Sequence, residues 1–225
     1  MKKLFLPLIL TVLLCLPASA QTFKIIGGPV FSSFSNFWPN PEPLLLLDSS
    51  NLNPFQGHKT GVFGGLGVEI PLSKKLSLEV NGLYKESGNN YRWDYWVTAS
   101  YLYKNKIQEL SIPVLFKAHF LRSPWPYFLV GGNFSFILSN DFSVYYRAQG
   151  SSDFEKTDSY DEKDSTARNN LGAVFGLGFE VPGSKGKISI EARYELGVKD
   201  LLENHQGYRQ DVKTRQFILV FGLKI

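Results

Sequence analysis

Apolar side chains recur at every second residue from Ile107 to Leu138. Leu110, Ile112, Val114, Phe116, Ala118 and Phe120 share one parity, and Glu109, Ser111, Lys117 and His119 fall on the other. After the break at Leu121–Pro126, Phe128, Val130, Phe134, Phe136 and Leu138 resume the alternation. A period of two means β-strands with one apolar and one mixed face, and two such runs around a Pro- and Ser-rich break form a hairpin.

The same reading predicts eight strands: Phe23–Ser32, Thr60–Ile70, Leu76–Lys85, Ile107–Phe120, Tyr127–Leu138, Asn169–Val181, Lys187–Val198 and Thr214–Ile225. Each is about as long as a tilted strand needs to be to cross a bilayer. The connections alternate. Pro71–Lys75, Leu121–Pro126 and Pro182–Gly186 are short, whereas Ser33–Lys59, Glu86–Lys106, Ser139–Arg168 and Lys199–Lys213 are long. A soluble sandwich has no reason to gather its long loops at one end. A barrel in an outer membrane does, with short periplasmic turns and long extracellular loops. Strands that cross a membrane must also close on themselves, because an open edge leaves backbone groups unpaired in lipid. The expected fold is therefore all-β, a transmembrane eight-stranded antiparallel up-and-down barrel.

The first twenty residues stand apart. Lys2 and Lys3 precede the apolar run Leu4–Leu16, and Ala18-Ser19-Ala20 follows as a small-residue cleavage site. This predicts a cleaved secretory signal peptide over 1–20 and a barrel domain over 21–225. Cleavage removes the single cysteine, Cys15, and with it any disulfide or thiolate chemistry. It also cuts the excess of Lys and Arg (24) over Asp and Glu (20) by two, too small a surplus to point to nucleic acid.

Three segments carry a family resemblance: GVFGGLGVEIPLSKKLSLEVNGLY, LSIPVLFKAHF with PYFLVGGNFSFILS, and LGAVFGLGFEVPGSKGKISIEARYELGV. They resemble the PorT-like outer-membrane β-barrel family of Gram-negative bacteria. The resemblance implies an eight-stranded barrel in the outer membrane, reached by export and folded by the barrel-assembly machinery. FILVFGLKI resembles the C-terminal signal which that machinery reads. The family's namesake takes part in protein secretion, but the shared segments are strands and turns and do not transfer that role.

Candidate chemistry is sparse. Gly61-x-x-Gly64-Gly65-x-Gly67 and Gly172-x-x-x-Gly176-x-Gly178 lack dinucleotide-binding spacing and open no helix. They read instead as room for bulky side chains inside a barrel. The acidic residues between Asp153 and Asp164 lack the ligand pattern of a calcium loop and read as a solvated loop. His119 falls at the short-turn rim, and His58 and His205 fall in long loops without a nucleophile and base at fixed spacing. No cofactor and no metal are expected.

Two sets of residues are singled out. Glu79, Lys117, Glu191 and Arg193 have inward parity and are expected to form a salt-bridged network that plugs the lumen. Trp38, Leu45, Leu46, Trp93 and Trp96 lie in the first two long loops and are a candidate binding surface. Tyr91, Trp93, Tyr95, Tyr101 and Tyr103 share one parity, so a strand pair is expected to project beyond the membrane. The favoured reading is a non-enzymatic integral barrel in outer-membrane lipid whose loops bind a protein partner or ligand. The alternatives are a rim enzyme acting on lipid or peptide, and a small-solute channel.

Overall fold

The computed structural model describes residues 21–35, 52–95, 99–120, 126–148, 150–163, 166–183, 186–201 and 212–225, with the side chains of 52–56, 93 and 95 excepted. The predicted signal peptide and Trp38, Leu45, Leu46, Trp96 and His205 lie outside the described residues.

Nine strands are present: β1 (Thr22–Ser35), β2 (Leu52–Pro71), β3 (Leu76–Tyr95), β4 (Ala99–His119), β5 (Pro126–Ala148), β6 (Glu155–Asp161), β7 (Asn169–Gly183), β8 (Gly186–Gly197) and β9 (Lys213–Lys224). Eight of them close a ring in the order β1-β2-β3-β4-β5-β7-β8-β9, each neighbour antiparallel. At the closure, Phe23 and Ile225 exchange backbone hydrogen bonds of 3.2 and 2.9 Å. Ring closure leaves the membrane-spanning part of the sheet without an edge. At the β2–β3 turn, the Ser73 hydroxyl accepts the Leu76 N–H at 3.1 Å, so turn chemistry is local and cheap.

The eight predicted spans correspond to the ring strands, but the boundaries of the middle ones fall well short. Glu86–Lys106, counted among the long connections, is almost entirely strand, as the shared parity from Tyr91 to Tyr103 predicts: β3 runs to Tyr95 and β4 starts at Ala99, paired residue for residue from Ser87↔Ile107 to Tyr95↔Ala99. The expected loop Ser139–Arg168 likewise contains the end of β5 and the whole of β6. The four strands β2 to β5 therefore continue past the ring and, with β6 added on β5, form an open sheet. The physical reason for the miss is that Asn, Ser, Lys and Gly interrupt the apolar alternation near Gly88 and Lys106, while cross-strand pairing carries the strands through.

Facing follows the two environments. Leu66, Val114, Phe116, Val130, Phe175, Leu177, Ile188 and Phe221 point outward and are exposed, as an apolar belt must be in lipid. Inside, Ile26, Val30, Phe63, Leu83, Ile218 and Val220 pack on one wall of the lumen. Leu115, Tyr127, Leu129 and Val174 form a second apolar cluster.

A bulge adjusts β5. Gln108 pairs with Ser139 and Glu109 with Ile137, which leaves Leu138 as an extra residue. The buried set on β5 accordingly moves from odd positions (Tyr127, Leu129, Asn133, Ser135, Ile137) to even ones (Asn140, Phe142). Without that extra residue the upper half of β5 would turn its polar face inward.

Candidate functional site

The lumen is built in layers from side chains of inward parity. Eleven ionisable groups are buried there among the described residues: Lys24, Lys85, Lys117, Arg193 and Lys224 against Glu69, Glu79, Glu109, Glu180, Glu191 and Glu195. An interior this narrow is filled by its own side chains, and a buried charge without a partner costs several kcal/mol. The packing answers both demands.

At the centre, Glu79 and Glu191 are shared among three cations. Arg193 reaches Glu79 Oε1 with Nη2 at 2.7 Å and Glu191 Oε2 with Nε at 2.7 Å. Lys24 Nζ lies 3.2 Å from Glu79 Oε2 and 2.5 Å from Glu191 Oε1. Lys117 contacts Glu79 Oε2, Glu191 Oε1 at 3.4 Å and Glu69 Oε2 at 3.0 Å. The Tyr127 hydroxyl donates to Glu191 at 2.7 Å, and Asn81 donates to Glu79 at 2.8 Å. The structure thus brings Glu79, Lys117, Glu191 and Arg193 into one network, and adds Lys24, Tyr127 and Asn81 to it.

Glycine makes the space. A Cβ on Gly178 would sit 2.7 Å from the Tyr127 ring and from Glu191 Cγ, so those two side chains occupy the room that a larger residue would take.

Above the centre, Lys85 bridges Glu109 at 2.9 Å and Glu195 at 3.0 Å, and Asn133 donates to Glu195 at 2.6 Å. Higher still the lining is polar but uncharged: Ser87, Asn89, Asn105, Asn140, Asn170 and Gln216 are all buried. Several of their amide atoms have no protein partner among the described residues. Internal water is the partner that such sites take.

Phe34, Tyr91, Tyr103, Ile107, Ile137, Phe142, Leu201 and Val212 then close the long-connection end as an apolar cap. The cap runs on into the open sheet. Tyr103 stacks near Phe142 with ring centroids 5.8 Å apart, and Tyr101 lies 5.2 Å from Tyr146. Trp93 pairs with Tyr101 along the backbone, but its side chain lies outside the described residues. The other side of the sheet is polar. Arg92 bonds Asp94 at 2.9 Å, and Arg147 covers the Phe154 ring at 4.8 Å while donating to Ser100 at 3.1 Å.

The short-turn end is different. A cavity of about 460 Å³ opens there, and Glu69, Ser73, His119, Glu180, Lys187 and Lys224 contribute to its wall. Lys224 Nζ is 2.5 Å from Glu69 Oε2 and also contacts Glu180 Oε1. His119 sits at the rim as expected from its parity, its ring 5.1 Å from that of Tyr127. His58, expected in a loop, lies exposed in β2 opposite Asn89.

Buried, paired charges inside an apolar belt suit a small membrane barrel. Residues 22–203 match the family described as outer membrane protein beta-barrel domain. The chain belongs to that family. Among solved structures, it is similar to Neisserial surface protein A (12% identity, 90% of this chain and 97% of that one, TM-score 0.48). It is similar to the attachment invasion locus protein Ail of Yersinia pestis (15% identity, 91% and 98%, TM-score 0.38). It is also similar to OprG of Pseudomonas aeruginosa (12% identity, 92% and 96%, TM-score 0.40). At these identities the likeness concerns the fold alone. The comparison with curated proteins finds no match.

Proposed function

We propose that this outer-membrane barrel is a non-conducting, non-enzymatic anchor that holds a binding sheet on the cell surface. The observation that carries this reading is the continuous change from ionic plug to apolar cap to projecting sheet. The plug and cap fill the lumen, and the sheet carries a half-buried aromatic face formed by Tyr101, Val144 and Tyr146, with Tyr160 half exposed beside them. Aromatic residues of this kind dominate protein contact surfaces. The long-connection end is the extracellular one in this reading, as the short turns and both strand termini gather at the other. Trp38, Leu45, Leu46, Trp93 and Trp96 belong to the same end by sequence and are proposed to contribute to the surface. The narrower PorT-like assignment fits the quoted strands and turns, and a role in secretion would make the partner a membrane protein of that pathway.

The test is site-specific photocrosslinking from outer membranes, with the crosslinker at Tyr146 or Tyr160 and a control at lipid-facing Val130. The reading expects a discrete protein adduct from the sheet positions that is absent from Val130 and lost when the neighbouring Tyr101 is changed to Ser. The same adducts from Val130, or none from the sheet in cells that need the protein, would overturn it.

A further inference from the structure

At the short-turn end, three side chains from three separate strands converge: Glu69 of β2, His119 of β4 and Glu180 of β7. Each offers a ligand atom, and these atoms all lie within 4.8 Å of one another. The place between the two carboxylates already holds a cation, because the Lys224 ammonium contacts both. The His119 ring rests on Tyr127, and its nitrogens have no hydrogen-bond partner among the described residues. Among the described residues, the second oxygen of Glu180 is held only by the half-exposed Lys187, at 3.7 Å. The whole group opens into the cavity of about 460 Å³.

We propose that Glu69, His119 and Glu180 bind a divalent transition metal, which enters by displacing the Lys224 ammonium into that cavity. One imidazole nitrogen and two carboxylate oxygens suit zinc and its first-row neighbours, whereas calcium and magnesium take oxygen-only sets. Tetrahedral ligands at about 2.0–2.2 Å from the metal lie about 3.3–3.6 Å apart, so side chains whose ligand atoms now lie within 4.8 Å of one another close the site by rotating inward by roughly 1 Å. Charge favours the exchange. The lumen buries six glutamates against five cations. Replacing one lysine by a divalent ion brings that count to balance. The His119 imidazole, unused by the plug, becomes the third ligand. From sequence, His119 reads as a rim residue and no metal is expected, since ligands on strands so far apart in sequence give no spacing to read. In the orientation proposed above, the site faces the periplasm.

Lys224 separates this account from a permanent ion pair. The barrel is extracted in detergent, stripped with a chelator and titrated calorimetrically with zinc. Folding of every variant is checked by its heat-dependent migration on a gel. The parent protein is expected to bind one zinc ion per chain, and H119A to lose at least tenfold in affinity. K224M removes the tethered competitor and is expected to bind at least tenfold tighter than the parent. Zinc binding that is equal in parent and H119A would overturn the proposal. So would a folded K224M that binds zinc no better than the parent, because Lys224 would then not stand in the metal's place.

Discussion

Strand β4 passes through two environments without changing the phase of its side chains, and the polarity of its two faces inverts on the way. In the ring, its inward positions are Glu109, Ser111 and Lys117, and its outward ones are Leu110, Val114 and Phe116. In the projecting sheet, the inward positions are Tyr101 and Tyr103, and the outward ones are Leu102, Lys104 and Lys106. β3 does the same, from Glu79 and Lys85 inside to Tyr91 inside. Backbone pairing is continuous across the change, so the solvent and not the sheet decides. Below, lipid takes the apolar side chains and the lumen must pair its charges. Above, water takes the charges and the apolar side chains collect on the inner face.

The largest effect is expected where pairing has no substitute. Lys117 serves Glu69, Glu79 and Glu191. Lys117→Met should therefore destabilise the barrel by about 3–5 kcal/mol, the usual cost of leaving a buried charge without its partner. Urea titration followed by gel mobility checks this. A matching change in the sheet, Lys104→Met, should leave the midpoint within about 0.5 kcal/mol of the parent, because Lys104 is exposed.

The cap comes next. Phe142 is buried against Tyr103. Phe142→Ala should cost about 3 kcal/mol of local stability. The expected signature is faster proteolysis of β5 and β6 in whole cells, with the heat-dependent migration of the ring retained. Equal loss of both would mean that the ring and the sheet fold as one unit.

A charge on the lipid face is a smaller perturbation. Ile190 faces outward in the middle of β8, next in sequence to Glu191 of the central network. Ile190→Arg should cost about 2 kcal/mol, the low end for arginine on a barrel's lipid face. Leu102→Arg, outward on the projecting part of β4, should assemble as well as the parent.

The smallest effect is a pH response confined to β6. The Tyr160 hydroxyl and the Ser159 N–H donate to Asp158 and hold its carboxyl below the usual carboxylate range. A carboxylate lowered on folding contributes stability above its unfolded value, and this is lost as pH falls through the depressed one. The protection of β6 amides, corrected for the intrinsic pH dependence of exchange, should therefore fall on acidification below about pH 4, and Tyr160→Phe should weaken that dependence.

These differences also explain what the sequence could show. On β8, apolar and polar residues alternate from Lys187 to Leu196, so the facing of Glu191 and Arg193 can be read residue by residue. Lys24 also has inward parity, but parity does not tell which glutamate it meets 167 residues away. Near Gly88, Lys106 and Ser139 both faces become polar at once as one solvent gives way to the other, and the period of two disappears while the strands continue. The bulge at Leu138 then shifts the phase on β5, so no single parity rule spans that strand. Convergence of Glu69, His119 and Glu180 depends on ring closure, which no local pattern encodes.

The inversion along β4 is the central claim, and a spin-label scan tests it most directly. The chain has one cysteine, Cys15; with that residue changed to Ser, single cysteines are placed at Leu102, Tyr103, Lys104, Lys106, Leu110, Ser111, Val114 and Phe116. Collision with oxygen, enriched in lipid, is compared with collision with a water-soluble nickel complex. The account predicts that positions 110, 114 and 116 respond to oxygen and positions 102, 104 and 106 to nickel, with Tyr103 and Ser111 shielded from both. Oxygen-dominated responses at 102–106, or exposure of Tyr103 in place of Lys104, would contradict it.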